Sequence, residues 1–241
     1  MIVWSQISDK GGRGHNEDYV GEIVHKDRAC FVLADGLGGH GKGEVASQLV
    51  TESILDTFEN DYTRDGFLEN AFDKAQNKLL EEQRKQGKPD EMKTTAVCLQ
   101  IDGDEVRWGH CGDSRLYVIK GKKILQRTLD HSVPQMLVFG REIREKDIRF
   151  HEDRNRLLKV MGIEQDKKLY EVSEWHEYSD KTRFLMCSDG FWEFVLEKEM
   201  EKTLKKSDTP EGWLREMEKI VLERGKGKEQ DNYSAIAVWM E

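Results

Sequence analysis

After the apolar run ACFVLA, Ala29–Ala34, the chain reaches Asp35, passes through the glycine-rich loop DGLGGHGKG and then enters two helices in succession. In the first, Val45, Leu49, Ile54 and Phe58, with Ala46, Val50 and Leu55 beside them, fall at helical spacing; in the second, Phe67, Leu68, Ala71, Phe72, Ala75 and Leu79 form the apolar face. No strand follows at once, and this limits the fold. The loop spells the dinucleotide fingerprint G-x-G-x-x-G from Gly36, but that motif has meaning only inside a strand-helix-strand unit of about 30 residues. The loop also nearly spells the nucleotide-triphosphate motif G-x-x-x-x-G-K-[ST]. Gly43 stands where that motif needs a hydroxyl for Mg²⁺, and Asp35 would face the nucleotide's phosphates with no cation between.

The rest of the chain reads as strands broken by turns. MIVWSQIS and YVGEIVH precede the glycine loop, and a β-meander runs from Thr94 to Gln126 with turns at Asp102-Gly103 and Gly121. Short helices are expected in SVPQMLVFG and NRLLKVMG, then strands in KLYEVSEW and TRFLMCS. A last helix is capped by Asp208 or Thr209 with Pro210 in its first turn, and the strand SAIAVWM closes the sequence. Antiparallel runs with helices grouped early and late predict an α+β domain whose sheets are covered by helices. With three prolines and no Ser/Gly tract, residues 1–241 are expected to form a single domain.

A net charge of −9 argues against a nucleic-acid partner, because polyanion binding depends on Lys and Arg. The N terminus lacks a basic segment followed by an apolar one, and no apolar run approaches the ~18 residues of a membrane span, so the expected setting is cytoplasmic. Cys30, Cys98, Cys111 and Cys187 lie in or beside apolar strands without C-x-x-C spacing and read as buried, reduced thiols.

Acidic residues at strand ends carry the chemistry. Asp102 belongs to a hairpin and Asp65 to a turn leading a helix. Glu17, Asp18, Asp35, Asp113, Asp189 and Asp231 instead border apolar strands and loops. Singly, each reads as a turn or Asx cap; together they form the pattern of strands presenting carboxylates to a cation. Two carboxylates ~4 Å apart repel by about 4 kcal/mol at an effective dielectric near 20, so a bare cluster strains the fold. Oxygen ligands without His/Cys spacing indicate Mg²⁺, Mn²⁺ or Ca²⁺ rather than zinc. Arg13 could add a guanidinium fork for phosphate oxygens.

RGHNED, VLADGLGGHGKGEVAS, TTAV, GHCGDSRLYVI, LDHS, DRNRLLKVMG, FLMCSDGFWEFV and QDNYSAIAVW occur in the order and approximate spacing of a known family. From Trp4 to Trp239 the chain resembles the metal-dependent protein serine/threonine phosphatases (PPM, type 2C) in their compact bacterial form. The resemblance implies a four-layer α-β-β-α sandwich of two antiparallel sheets, with a binuclear Mn²⁺/Mg²⁺ centre at one end. It implies Asp35 as bridging ligand, Gly36 as carbonyl donor, and Asp189 and Asp231 as further ligands. Asp18 and Glu17 would act through water, and Asp113 with Asp189 would form a third-metal site. Arg13 matches the phosphate-binding arginine, and residues 133–156 match a flap beside the site. The activity so implied is hydrolysis of phosphoserine and phosphothreonine in proteins by a metal-activated water. The implied partners are phosphoproteins and their serine/threonine kinases, and the chain is expected to be a monomer. The alternative is a non-catalytic, phosphatase-like scaffold. Leu37 stands where many eukaryotic members carry a histidine proposed as general acid; His40, three positions later, is not given that role, leaving water as the proton donor.

Overall fold

The structure, a computed structural model, describes residues 1–37, 42–87, 91–165, 167–178 and 181–241. His40 lies outside them. Strand β1 (Ile2–Asp9) leads to β2 (Asp18–Val24) and β3 (Arg28–Leu37), then to helices α1 (Lys42–Asn60) and α2 (Phe67–Gln86). The meander follows as β4 (Lys93–Thr94), β5 (Ala96–Asp102), β6 (Glu105–Cys111), β7 (Arg115–Lys120) and β8 (Lys123–Arg127). Helix α3 (Val133–Phe139), a 3₁₀ turn (Glu145–Phe150), β9 (Glu171–Val172), β10 (His176–Glu177) and β11 (Thr182–Cys187) come next. Helices α4 (Asp189–Trp192), α5 (Glu197–Leu204) and α6 (Pro210–Gly225) precede the closing strand β12 (Tyr233–Met240).

These strands form two antiparallel sheets, one ordered β1-β12-β11-β7-β8 and the other β10-β6-β5-β3-β2 with β4 and β9 at its margins. Alternation along each strand builds the layers, since successive side chains point to opposite faces. On β3, Cys30 and Val32 pack under α1 and α2, while Ala29, Phe31 and Leu33 face the other sheet. On β12, Ile236 and Val238 meet them from across, whereas Ala235, Ala237 and Trp239 pack beneath the late helices. Helix, sheet, sheet and helix are therefore joined by three apolar clusters, the expected four-layer α-β-β-α sandwich. All four cysteines are buried and unbridged, as read, and Thr209 caps α6 by accepting from the Gly212 N–H at 3.0 Å.

Three local expectations need correction. NRLLKVMG is not a helix: Leu157 bridges Ser132 and Met161 bridges Thr94, so backbone groups a helix would pair internally are taken across the fold. KLYEVSEW supplies only the short pairings of β9 and β10 rather than a full strand. Helix α5, EKEMEKTL, was not anticipated, because its apolar content is limited to Met200 and Leu204. The buried face of α1 is also narrower than its pattern suggests: Ala46, Val50, Ile54 and Phe58 are buried and Val45 is exposed.

Candidate metal centre

Antiparallel pairing brings the acidic residues to one end of the sandwich. Asp18 opens β2 and sits in register opposite Asp35 near the end of β3. Cys187 at the end of β11 pairs with Ala235 at the start of β12, so Asp189 and Asp231, two and four positions beyond them, leave the sheet together. Asp113 occupies the turn between β6 and β7. These ends surround a cleft of about 810 Å³ lined by the carboxylates of Glu17, Asp35, Glu44, Asp113, Asp189 and Asp231, with Asp18 buried behind it. Arg13 is the one Lys or Arg side chain among the described residues lining it.

The carboxylates are held by scaffolding. Thr95 Oγ1 accepts the Asp35 N–H at 3.0 Å, and the Asp35 carbonyl accepts from Thr95 N–H at 2.8 Å and Thr94 Oγ1 at 2.9 Å. Ser188 Oγ donates to Asp18 Oδ2 at 2.7 Å and accepts the Ser234 N–H at 3.0 Å. Asn232 accepts the Glu17 N–H through Oδ1 at 2.8 Å and donates to the carbonyls of Lys10 and His15, tying the loop that carries Arg13 and Glu17 to the Asp231 loop. Arg13 forks onto Asp231 with Nε–Oδ1 and Nη2–Oδ2 both at 3.0 Å. Thr95, Ser188 and Asn232 received no role from sequence; the signal was their place inside TTAV, CSDG and QDNYS.

Glycine explains the loop. A Cβ on Gly36 would lie 2.2 Å from the Gly43 carbonyl oxygen and 2.7 Å from that of Glu17. The start of α1 thus rides directly on the end of β3, which accounts for glycine where a nucleotide loop carries Ser or Thr.

Burial dominates the electrostatics. It pushes the Asp18 carboxyl up to about 7, with the Ser188 and Ser234 hydrogen bonds opposing and Asp189 and Asp231 adding repulsion. Asp35 is raised well above the carboxylate range by burial, then by Asp18, Asp189 and Asp113; Asp113 is raised likewise by burial and Asp189. Asp189 is raised by burial and Asp231, against a hydrogen bond with Asp35. Carboxyls so placed disfavour their own ionisation unless a cation arrives. Asp18 Oδ1 is moreover buried without a protein partner. Oxygen-only donors, mutual repulsion and an unpartnered buried oxygen fit hard divalent cations.

Carboxyl pKa values raised on folding contribute stability that is complete below the unfolded value near 4 and is lost as pH rises through the folded value, about 7 for Asp18. Without metal, Tm is therefore expected to fall as pH rises from about 4 through about 7. Added Mn²⁺, which binds the ionised form, is expected to shrink or reverse that fall. Thermal melts in EDTA and in Mn²⁺ across this range check it.

A second group of potential ligands, His110, His131 and Glu171, has ligand atoms within 4.8 Å of one another and went unremarked in the sequence. It is not arranged for a cation. The imidazoles stack 4.6 Å apart and 14° from parallel, so their in-plane lone pairs run side by side. The Gly112 N–H donates to His131 Nδ1 at 3.2 Å, which leaves the proton on Nε2, 3.1 Å from Glu171 Oε1. A metal-bound histidine needs the opposite, a donating second nitrogen.

A two-sheet sandwich with carboxylates converging at one end has the arrangement of a protein that binds divalent cations. A profile described as protein phosphatase 2C matches residues 12–225, and the chain belongs to that family. The serine/threonine phosphatase stp of Listeria monocytogenes serotype 4b (strain F2365) is 30% identical over 210 residues, covering 84% of this chain and 82% of that protein. Among solved structures, serine/threonine phosphatase Stp1 from Staphylococcus aureus superposes with a TM-score of 0.88 at 29% identity, covering 100% of this chain and 96% of that one. The catalytic domain of the phosphatase PstP in complex with two manganese ions does so at 0.82 and 25% identity, covering 99% and 97%.

Proposed function

We propose that this chain hydrolyses phosphoserine and phosphothreonine in proteins, with Mn²⁺ or Mg²⁺ held by Asp35, the Gly36 carbonyl, Asp189 and Asp231. Such ions, when bound, supply Lewis acidity toward a phosphoryl oxygen and acidify water near neutral pH. The chain's own residues do the rest. Asp18, fixed by Ser188, and Glu17, fixed through its backbone by Asn232, stand behind the ligands to accept hydrogen bonds from water. Asp113 and Asp189 share a further cation position. Arg13, half exposed at the rim, offers guanidinium N–H groups beyond the two given to Asp231, and these can receive phosphate oxygens bidentately. Leu37 lines the cleft where a proton donor would be sought, so solvent serves the departing side-chain oxygen. Residues 133–156 form the neighbouring flap, and Asn155 near its end and Leu157 just after it reach the cleft wall. A monomer acting on phosphoproteins made by serine/threonine kinases in the cytoplasm completes the reading. Among the described residues no helix is long and apolar enough to cross a membrane.

Convergence of mutually repelling, largely buried carboxylates on one cleft carries this conclusion. It is tested by hydrolysis of a phosphothreonine peptide and of p-nitrophenyl phosphate: both are expected to require Mn²⁺ or Mg²⁺ and to stop on adding EDTA. Turnover undiminished by chelation would refute it, and a metal-loaded but inert chain would indicate a scaffold.

A further inference from the structure

Asp113 is buried, yet its carboxylate must face Asp189 from a separate turn. The turn is unusual: Gly112 adopts a left-handed φ of +100° and sits tight against Thr95, where an added Cβ would come within 2.6 Å of the threonine side chain. One further contact joins this turn to the segment carrying Asp189. Trp192, three residues after Asp189 on α4, donates its indole N–H to the Asp113 carbonyl oxygen at 3.0 Å. The ring is 1% exposed and fixed on its face. The Arg115 guanidinium lies 3.4 Å from the ring centroid and forks onto Asp130 with Nε–Oδ1 at 2.9 Å and Nη2–Oδ2 at 2.6 Å. Asp130 also accepts from Arg127, which reaches Gln135 on α3.

From this we infer that Trp192 is a positioning residue: its indole N–H links the Asp113 turn to the Asp189 helix and so sets the spacing of the cation position these two share. The inference rests on the reading of Asp113 and Asp189 as such a pair. Trp192 touches neither cation nor substrate, and acts by holding the backbone from which Asp113 projects. A phenyl ring could keep the Arg115 stack while losing the donor, together with part of the buried ring volume.

The test compares wild type, Trp192→Phe and Asp113→Asn by equilibrium Mn²⁺ titration, reading free Mn²⁺ by electron paramagnetic resonance and Tm in parallel. Asp113→Asn is expected to abolish the weakest binding event. Trp192→Phe is expected to weaken that event by roughly 10- to 100-fold, the range seen when an outer partner of a metal ligand is removed. The tight events should change little, while the metal-free Tm is expected to fall through the cavity the smaller ring leaves. In activity assays, the Mn²⁺ concentration for half-maximal rate is expected to rise while KM for p-nitrophenyl phosphate holds. Weak binding unchanged in Trp192→Phe but lost in Asp113→Asn overturns the role of Trp192 and leaves the cation position standing. Weak binding unchanged in Asp113→Asn overturns both. Should Trp192→Phe fold poorly, ¹⁵N-indole spectra of the wild type during Mg²⁺ titration decide the matter: one of the six indole N–H signals is expected to shift with the weak event, and to stop shifting in Asp113→Asn. No such response overturns the proposal.

Discussion

Asp35→Asn is expected to cut phosphatase activity by at least about 10³-fold, a loss of several kcal/mol of transition-state stabilisation, while raising the Tm of the metal-free protein. Both effects arise from one side chain. Asp35 faces Asp18 across the strand pair and shares the cleft with Asp189 and Asp113, and burial with these neighbours raises its carboxyl well above the ordinary range. The amide is nearly isosteric and keeps the backbone bonds to Thr94 and Thr95, so the fold remains. It removes a carboxyl whose ionisation the metal-free cluster opposes, and removes the charge a cation needs. A merely structural aspartate would show the reverse, with stability falling and activity falling only in step with it. Melting curves in EDTA and rates in saturating Mn²⁺, measured on one preparation, separate the cases.

Gly36→Ala is expected to be among the most damaging single-methyl substitutions at the described residues. The new Cβ would meet backbone carbonyl oxygens of Gly43 and Glu17 at 2.2 and 2.7 Å, and neither can rotate away as a side chain could. The cost reaches or exceeds the upper end of the ~1–3 kcal/mol typical of overpacking. At ~3 kcal/mol, a chain of this size loses roughly 6 to 12 °C in Tm. Relief requires α1 to lift from β3, which disturbs the Gly36 carbonyl proposed as a metal ligand. Activity is therefore expected to drop even at temperatures where the variant stays folded. Gly87→Ala is the control: its Cβ would meet nothing within 4 Å, so only its left-handed φ of +64° is strained.

Much of the site could be read in the sequence because strands announce their own ends. An apolar run that stops at an aspartate, as in ACFVLADG, FLMCSDG and QDNYSAIAVW, places that carboxylate at a sheet border whatever the topology. What joins those borders could not be read locally. Ser188 reaches Asp18 across 170 positions and Asn232 reaches Glu17 across 215, and serine and asparagine near turns have nearer uses for their side chains. The segment 155–162 misled for a related reason: Leu157, Leu158, Val160 and Met161 suit a helix face, but Met161 pairs with Thr94 and holds the chain extended. Trp192 reads as core and is core; its indole donor gains a role only once the Asp113 turn is beside it. Gly43 looked like a defect in a nucleotide loop until its contact with Gly36 gave it a steric purpose.

Counting bound Mn²⁺ most directly tests the claim that these separated acidic residues grip divalent ions together. Equilibrium titration at pH 7.5 is expected to give two tightly bound ions per wild-type chain, and at most one in Asp35→Asn, Asp189→Asn and Asp231→Asn alike. An unchanged count in all three variants, or a wild type that binds none, would contradict it.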